Sequence, residues 1–227
     1  MPSTPIKLSP SDLTFLWDEC PRCFYLKYLH GIHRPAAPFP AVFGAIDRLM
    51  KAQFAGRPAA ELNPSLPPGL INVTENWLES VPISIPGHIQ AVFLRGKIDA
   101  WIRFEDGSYG IVDFKTSEPK KEHVPFYSRQ LHAYAYALEH PAPGRLAFSP
   151  ISRLGLYVEA PHATLAATTS EISFHFRSTW LEVPYRETGF IEFLSLVLTL
   201  LELPEPPAAG ENCDYCKYRQ HAREHGM

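Results

Sequence analysis

Two alternating apolar runs separated by a short turn constrain the fold of this chain more than any other feature. The first run covers residues 98–104 and is entered through Gly96-Lys97-Ile98-Asp99, and the second covers residues 109–115 and ends in Asp113-Phe114-Lys115. Strict alternation of apolar and polar residues is typical of half-buried strands. The segment Glu105-Asp106-Gly107 between the runs therefore predicts a β-hairpin.

The length of the turn sets the register of this hairpin. A three-residue loop, with Gly107 in the left-handed conformation, places Asp99 opposite Asp113, whereas a two-residue loop would place Asp99 opposite Phe114. Directly opposed residues have Cβ atoms about 5 Å apart, so both carboxylates could grip one cation. Lys115 lies two residues beyond Asp113 and shares its face. The opposite face is predicted to enter a core through Ile98, Ala100, Ile102, Val112 and Phe114.

Two carboxylates and a lysine on one face are the groups that a divalent cation and an activated water need for phosphodiester hydrolysis. The hairpin predicts this chemistry through Asp99, Asp113 and Lys115. An isolated D-x-K triplet is a common pattern, so a hairpin with a solvated charged face stays open as the alternative.

The length and net charge of the chain limit the number of domains and the ways in which it could bind nucleic acid. The chain has 227 residues, enough for a single domain spanning 1–227. Its net charge of −3 means that a polyanion must meet a local basic patch, for which the candidates are Lys115, Lys120, Lys121 and Arg129. The first residues are polar, and the most apolar segment, residues 190–203, contains Glu192 and is too short to span a bilayer. We expect a cytoplasmic protein without membrane contact.

The four cysteines form two close pairs, Cys20 with Cys23 and Cys213 with Cys216. Structural disulfides are rare in a reducing cytosol. Four thiolates in two such pairs are typical of a tetrahedral zinc site or an iron–sulfur cluster, and spacing alone does not choose between them. The pattern predicts a clasp joining residues 8–31 to residues 204–219. Two unrelated thiol pairs are the alternative.

The remaining periodicity predicts a mixed fold. We expect an α/β, α+β-like chain with a central mixed β-sheet flanked by helices. The predicted helices cover Ser9 to about Asp18, Pro21 to near Gly31, residues 40–55, 122–139 and 186–203, and further strands are predicted at 81–85, 153–159 and 171–177.

Gln130 and Tyr134 lie four residues apart on the predicted helix 122–139, so both project from one face. If this helix packs over the polar side of the hairpin, an amide and a phenol reach the lysine, the water or a phosphate. Otherwise Tyr134 is a core residue and Gln130 a surface residue.

In the order and spacing of these motifs the chain resembles the PD-(D/E)XK nuclease superfamily, and within it the RecB-like and CRISPR-associated iron–sulfur exonucleases. The resemblance runs from residue 8 to residue 218. It rests on Ser9-Pro10-Ser11, Cys20 to Leu26, Gly96 to Asp99, Asp113 to Lys115, and Gln130-x3-Tyr134. It implies a restriction-endonuclease-like core with residues 90–140 as the catalytic part.

The resemblance also implies roles for these residues. Asp99 and Asp113 would bind Mg²⁺ or Mn²⁺, with the Phe114 carbonyl as a further ligand. Lys115 would orient or help to deprotonate the attacking water, and Gln130 and Tyr134 would position substrate or lysine.

Two positions depart from the family pattern. Where the family has a metal-binding histidine on an early helix after a glycine, this chain has Asp47 after Gly44, and a carboxylate also suits a hard cation. The iron–sulfur members have one cysteine near the N-terminus and three near the C-terminus, whereas here the cysteines divide two and two, with Cys23 replacing the missing one. The resemblance implies a 4Fe–4S cluster, and zinc is the alternative.

Together these features predict a divalent-metal-dependent deoxyribonuclease, an exonuclease acting on single-stranded DNA or on free ends. Repair or CRISPR-adaptation proteins would be its partners. Two alternatives remain. One is a catalytically inactive nuclease-fold module that binds nucleic acid or acts as an adaptor, with a zinc clasp. The other is a zinc-clasped scaffold whose hairpin charges are merely solvated.

Overall fold

The computed structural model of the protein describes residues 4–36, 38, 40–168 and 170–226, without the side chains of residues 123, 166 and 167. Its helices are α1 Phe15–Glu19, α2 Pro21–His30, α3 Ala41–Phe54, α4 His123–Glu139, α5 Glu187–Leu201 and α6 Asp214–Glu224, with a short 3-10 helix at Ala59–Glu61. Its strands are β1 Ile6–Leu8, β2 Gly69–Val73, β3 Trp77–Glu79, β4 Val92–Lys97, β5 Ala100–Phe104, β6 Tyr109–Thr116, β7 Ile151–Ala167 and β8 Ile172–Val183.

The strands form two sheets that meet at the entrance to the hairpin. Strands β2, β5, β6, β7 and β8 form a five-stranded sheet in that order, in which β6 and β7 are parallel and the other pairs are antiparallel. Strands β1, β4 and β3 form a smaller sheet. The chain passes from β4 to β5 through residues 98–99. The predicted mixed sheet flanked by helices is confirmed.

The predicted register of the hairpin is also confirmed. Ala100 pairs with Val112 and Arg103 with Tyr109. At the loop, the Phe104 amide donates a hydrogen bond of 3.0 Å to the Ser108 carbonyl. Gly107 has φ of 85°, the left-handed conformation that a three-residue loop needs at this position. Continuing this register by one residue brings Asp99 beside Asp113.

Both faces of the five-stranded sheet are buried around its central strands β5 and β6. Helix α3 covers one face, where Met50 and Phe54 pack with Ala100, Ile102, Val112 and Phe114. Helices α4 and α5 cover the other face, around Leu131, Leu194 and Leu198. Ile98 belongs to this second core rather than to that of Ala100. The prediction placed both residues in one core, and it is wrong for Ile98 because the chain changes sheets at this point.

Other differences have local causes. The predicted strand at residues 81–85 is reduced to a single bridge between Ile83 and Val92, since Pro82 and Pro86 lack amide donors. Residues 10–14 form turns, and the first α-helix begins only at Phe15. Helices α2, α3, α4 and α5 agree with the predicted spans, whereas β7 and β8 extend well beyond them. Strands β1, β2 and β3 were not predicted.

In the part of the chain that the structure describes, no helix combines the length and apolar character needed to cross a bilayer.

Candidate active site and metal centres

A buried ion pair between Asp113 and Lys115 lies at the centre of the candidate active site. Both side chains come from β6, two residues apart, and so lie on one face of the strand. The Asp113 side chain is 4% exposed, and the Lys115 ammonium contacts its Oδ2 atom. Burial, reinforced by the charge of Asp99, raises the pKa of Asp113. Burial acts to lower the pKa of Lys115, but the Asp113 carboxylate outweighs it and the pKa is raised.

A second lysine joins the other two predicted metal ligands. Lys51, on α3, places its Nζ atom 2.8 Å from Oδ1 of Asp99 and 2.9 Å from Oδ2 of Asp47. Asp47 lies four residues before Lys51, so helical geometry puts both on one face of α3. The three aspartates therefore converge from α3 and the hairpin, with two ammonium groups among them.

Helix α4 closes the site from the side of the sheet opposite α3. The Nε2 atom of Gln130 donates a hydrogen bond of 2.9 Å to the Tyr134 hydroxyl, and both side chains are buried. Burial, together with the Asp113 charge, raises the pKa of Tyr134. One turn before Gln130, the ring of Tyr127 lies 4.8 Å from the Lys115 ammonium, a cation–π contact.

Close packing explains the glycine of the Gly96-Lys97-Ile98-Asp99 motif. A Cβ atom on Gly96 would lie 2.8 Å from Pro10 and 3.2 Å from the ring of Tyr134. These separations are shorter than ordinary van der Waals contact, so the turn that follows β1, strand β4 and helix α4 meet here only because Gly96 has no side chain. The motif thus positions Tyr134 against the strand that leads to Asp99.

The three predicted DNA-binding residues differ in their surroundings. Lys120 and Lys121 are exposed in the loop between β6 and α4. Arg129 forms an ion pair of 2.5 Å with Asp18, and its guanidinium lies 4.5 Å from the centre of the Phe193 ring. The two lysines are thus solvent-exposed, whereas Arg129 contacts α1 through Asp18 and α5 through Phe193.

The donor set suits a hard divalent cation. Asp47, Asp99 and Asp113 supply carboxylate oxygens, which Mg²⁺ and Mn²⁺ prefer. The Oε1 atom of Gln130 is buried without a hydrogen-bond partner among the described residues. The ring of Phe114 lies on the other face of the sheet, stacked 5.9 Å from that of Phe54, so only its backbone is available as a ligand. Asp47 and Asp99 contact the Lys51 ammonium and Asp113 contacts the Lys115 ammonium, so to bind one ion the three carboxylates would have to exchange these cations for it and move closer together.

The four cysteines converge in space. Cys23 Sγ lies 3.6 Å from that of Cys216 and 3.7 Å from that of Cys213, and Cys20 Sγ lies 3.8 Å from that of Cys216. In the described part of the chain they are the one group of three or more acidic, histidine or cysteine ligands whose donor atoms all lie within 4.8 Å of one another. The clasp between the N- and C-terminal segments is confirmed.

The surroundings of the thiols differ: burial raises the pKa of Cys23 and Cys216, whereas the pKa of Cys20 is lowered. The amides of Gly210 and Cys23 donate to Cys20 Sγ at 3.3 and 3.4 Å. Although burial acts to raise it, these amides lower the pKa of Cys20 to about 7. Arg34 donates to Cys213 Sγ at 3.4 Å, and its guanidinium also lies 4.8 Å from the Tyr215 ring. Such outer contacts orient metal-binding side chains and offset their charge.

A comparison with known proteins agrees with this geometry. A family model described as "PD-(D/E)XK nuclease superfamily" matches residues 67–221, which include the hairpin, α4 and the second cysteine pair. The chain belongs to the PD-(D/E)XK nuclease superfamily.

A solved structure shares the fold of this PD-(D/E)XK chain. The crystal structure of SSO0001 superimposes with a TM-score of 0.51 and 15% sequence identity, covering 96% of this chain and 86% of that one. The search of curated proteins gave no match. The resemblance to the superfamily is confirmed, while its RecB-like and CRISPR-associated branch remains a prediction.

The sequence analysis assigned no role to three residues that contact the candidate active site or the cysteine site, namely Lys51, Tyr127 and Arg34. The position of Lys51 could have been predicted, since it lies four residues after Asp47 and therefore on the same face of the helix. Tyr127 lies three residues before Gln130 and could have been found in the same way. Arg34 had no signal, because it lies in a proline-rich segment without a periodic pattern.

Proposed function

We propose that this PD-(D/E)XK protein is a divalent-metal-dependent deoxyribonuclease. The observation that carries the proposal is the Asp113–Lys115 pair, buried on one strand of the hairpin beside Asp99. Burying a carboxylate and an ammonium costs desolvation free energy, and buried groups whose pKa is shifted in this way are concentrated at functional sites. The membership in a superfamily of metal-dependent nucleases supports the same reaction.

Each residue of the site has a proposed role. Asp47, Asp99, Asp113 and the Phe114 carbonyl would hold Mg²⁺ or Mn²⁺, which supplies a water of lowered pKa and offsets charge on the phosphate. The Lys115 ammonium orients the attacking water through hydrogen bonds and stabilises negative charge that develops on the phosphoryl oxygens. Gln130 and Tyr134 fix the position of substrate and lysine from α4, while Lys120, Lys121 and Arg129 contact the DNA backbone.

The substrate proposal is DNA with free ends, single-stranded or frayed, cut from the end by exonuclease action. Repair or CRISPR-adaptation proteins are the proposed partners, and the cytoplasm the proposed compartment. Residues 1–227 are proposed to act as a single nuclease domain, since α4 contacts both sheets.

The cysteines are proposed to hold one tetrahedral ion, with zinc as the favoured metal. A zinc ion with Zn–S bonds of about 2.3 Å holds its four sulfurs about 3.8 Å apart. Three of the six sulfur separations, at 3.6 to 3.8 Å, match this geometry, and all six lie within 4.8 Å. In a 4Fe–4S cluster each cysteine binds a different iron at the corners of a cube, so the sulfurs lie farther apart. The cluster implied by the family resemblance is the second candidate.

The proposal is tested by metal-dependent cleavage. We expect the purified chain to degrade end-labelled single-stranded DNA with Mg²⁺ or Mn²⁺ and to be inactive in EDTA. Asp113→Asn and Lys115→Met should each lower the rate by at least about a hundredfold, about 2.7 kcal/mol in the barrier, without changing the far-UV circular dichroism. Cleavage that survives in both folded variants would reject the proposal.

The second candidate is an inactive module that binds nucleic acid or acts as an adaptor. The observation favouring it is Lys51, whose ammonium contacts both Asp47 and Asp99, two of the proposed metal ligands. This candidate predicts DNA binding without cleavage at any concentration of Mg²⁺ or Mn²⁺. A divalent-metal titration followed on gels with single- and double-stranded DNA separates it from the nuclease.

A further inference from the structure

A two-stranded arm extends beyond the five-stranded sheet. Strand β6 ends at Thr116, which pairs with Glu159 of β7. Farther along, residues 160–167 pair with residues 172–177 of β8 alone, and these two segments are the arm. Its described side chains are mostly exposed on both faces. A two-stranded ribbon without a packed face is marginally stable in water, so a surface of this kind is expected to have a binding role.

One face of the arm continues the face of the sheet that carries the candidate active site. Asp113 pairs with Leu156 of β7, and Leu156 pairs with Leu181 of β8. Because side chains alternate along a strand, Arg177 and His175 lie on the same face of β8 as Leu181. From Leu181, which lies level with Asp113 but two strands away, β8 thus leads along this face to Arg177 and His175.

This face is basic at its outer end. The Arg177 guanidinium lies 2.8 Å from Nε2 of His162, and the rings of His162 and His175 are 6.2 Å apart. Arg177 and both histidines are exposed. The acid nearest along the strand, Glu159, faces the other way and accepts a hydrogen bond from Ser178. Three nitrogen-rich side chains therefore form a local patch on a chain whose net charge is −3.

We propose that this basic face of the arm binds the phosphate backbone of the nucleic acid strand that enters the candidate active site. The inference rests on the proposed function, which supplies the strand. Residues two apart on a β-strand are separated by about 6.7 Å, close to the spacing of neighbouring phosphates in an extended single strand. Basic side chains in a line with the site supply the charge complementarity that such a backbone requires.

The test compares two charge reversals on the same pair of strands. Arg177→Glu alters the basic face, and Arg153→Glu makes the same change on the opposite face, where Arg153 pairs with Glu182. Binding of a fluorescein-labelled single strand of about 20 nucleotides is measured by anisotropy in EDTA, over a range of salt. We expect Arg177→Glu to weaken binding about tenfold and to reduce the salt slope by about one, and Arg153→Glu to change affinity by less than about twofold.

Three outcomes overturn the inference. These are unchanged affinity in Arg177→Glu, equal loss in both variants, and a change of oligomeric state in Arg177→Glu without loss of DNA affinity, which would make the arm a contact between copies of this chain. Equal thermal midpoints of the two variants show that the packed part of the domain is equally stable in both. If the wild-type chain binds the strand but never cleaves it with Mg²⁺ or Mn²⁺, the proposed nuclease fails while the arm inference stands.

Discussion

The Lys51 ammonium lies 2.8 Å from a carboxylate oxygen of Asp99, joining α3 to the entrance of the hairpin. Its side chain is 12% exposed, and it also contacts Asp47 at 2.9 Å. Burial acts to lower the pKa of Lys51, but the two carboxylates outweigh it and the pKa is raised. Lys51 is therefore an internal cation at the point where two proposed metal ligands meet.

Removing this charge is expected to tighten divalent-metal binding. In Lys51→Met the two carboxylates lose their internal cation, so an incoming ion no longer competes with it. We expect the Kd for Mn²⁺, measured by electron paramagnetic resonance of the free ion, to fall about tenfold, equivalent to about 1.4 kcal/mol. Arg48→Met, at an exposed position of the same helix, is the control and should leave the Kd unchanged. Weaker Mn²⁺ binding in Lys51→Met would show that Lys51 supports the site instead.

The identity of the metal bound by the cysteines can be measured directly. We expect one zinc ion per chain by elemental analysis and no visible absorbance of an iron–sulfur cluster. Cys216→Ser should remove the zinc and lower the thermal midpoint, because a structural metal contributes its binding energy to folding. Asn212→Ser, in the exposed loop before Cys213, should keep both metal and stability. A brown protein with iron and inorganic sulfide in the anaerobic preparation would establish the cluster in place of zinc.

Gly210 connects the C-terminal linker to the cysteine site through its backbone. A Cβ atom at this position would lie 2.4 Å from the Glu19 carbonyl oxygen, too close for the linker to stay in place. Moving the linker would also break the hydrogen bond from the Gly210 amide to Cys20 Sγ. We expect Gly210→Ala to lower the free energy of unfolding by about 1–3 kcal/mol, measured in urea. Ala209→Ser, at the exposed neighbouring position, should lie within about 0.5 kcal/mol of wild type.

The sequence predicted those parts of the site that depend on local periodicity. The alternation of the hairpin and the left-handed Gly107 determine the register that brings Asp99 beside Asp113. The spacing of Gln130 and Tyr134 likewise predicts that both lie on one face of α4, where they share a hydrogen bond. In each case the geometry follows from residues within one or two elements.

Features that depend on contacts between elements far apart in the sequence could not be predicted from local periodicity. Strand β1 has three residues and is held by parallel pairing with β4, some 86 residues later, as between Ile6 and Val92. The position of Ile98 depends on the change of sheet after β4, which no alternation signals. Arg34 reaches Cys213 only because the chain closes on itself through the clasp.

His132, on α4 where the helix packs against Phe190 of α5, provides a pH-dependent contribution to stability. Its Nδ1 atom lies 2.7 Å from the Ser128 carbonyl, and its Nε2 atom lies 2.8 Å from the Arg186 amide. Nδ1 must therefore carry the proton and donate, while Nε2 accepts, so the ring is neutral. Burial lowers the pKa of His132 below the ordinary value of 6.5.

The sign of the pH effect follows from this direction. As the pH falls below 6.5, His132 becomes protonated in the unfolded chain, whereas in the folded chain it stays neutral until a lower pH. Protonation therefore stabilises the unfolded chain first, and the free energy of unfolding decreases as the pH falls. We expect the wild-type free energy of unfolding to fall by about 1 kcal/mol more than that of His132→Gln between about pH 7.5 and 5.5, as measured in urea. His225→Gln, at an exposed position, should show the wild-type pH dependence. Parallel curves for wild type and His132→Gln would contradict the buried neutral ring.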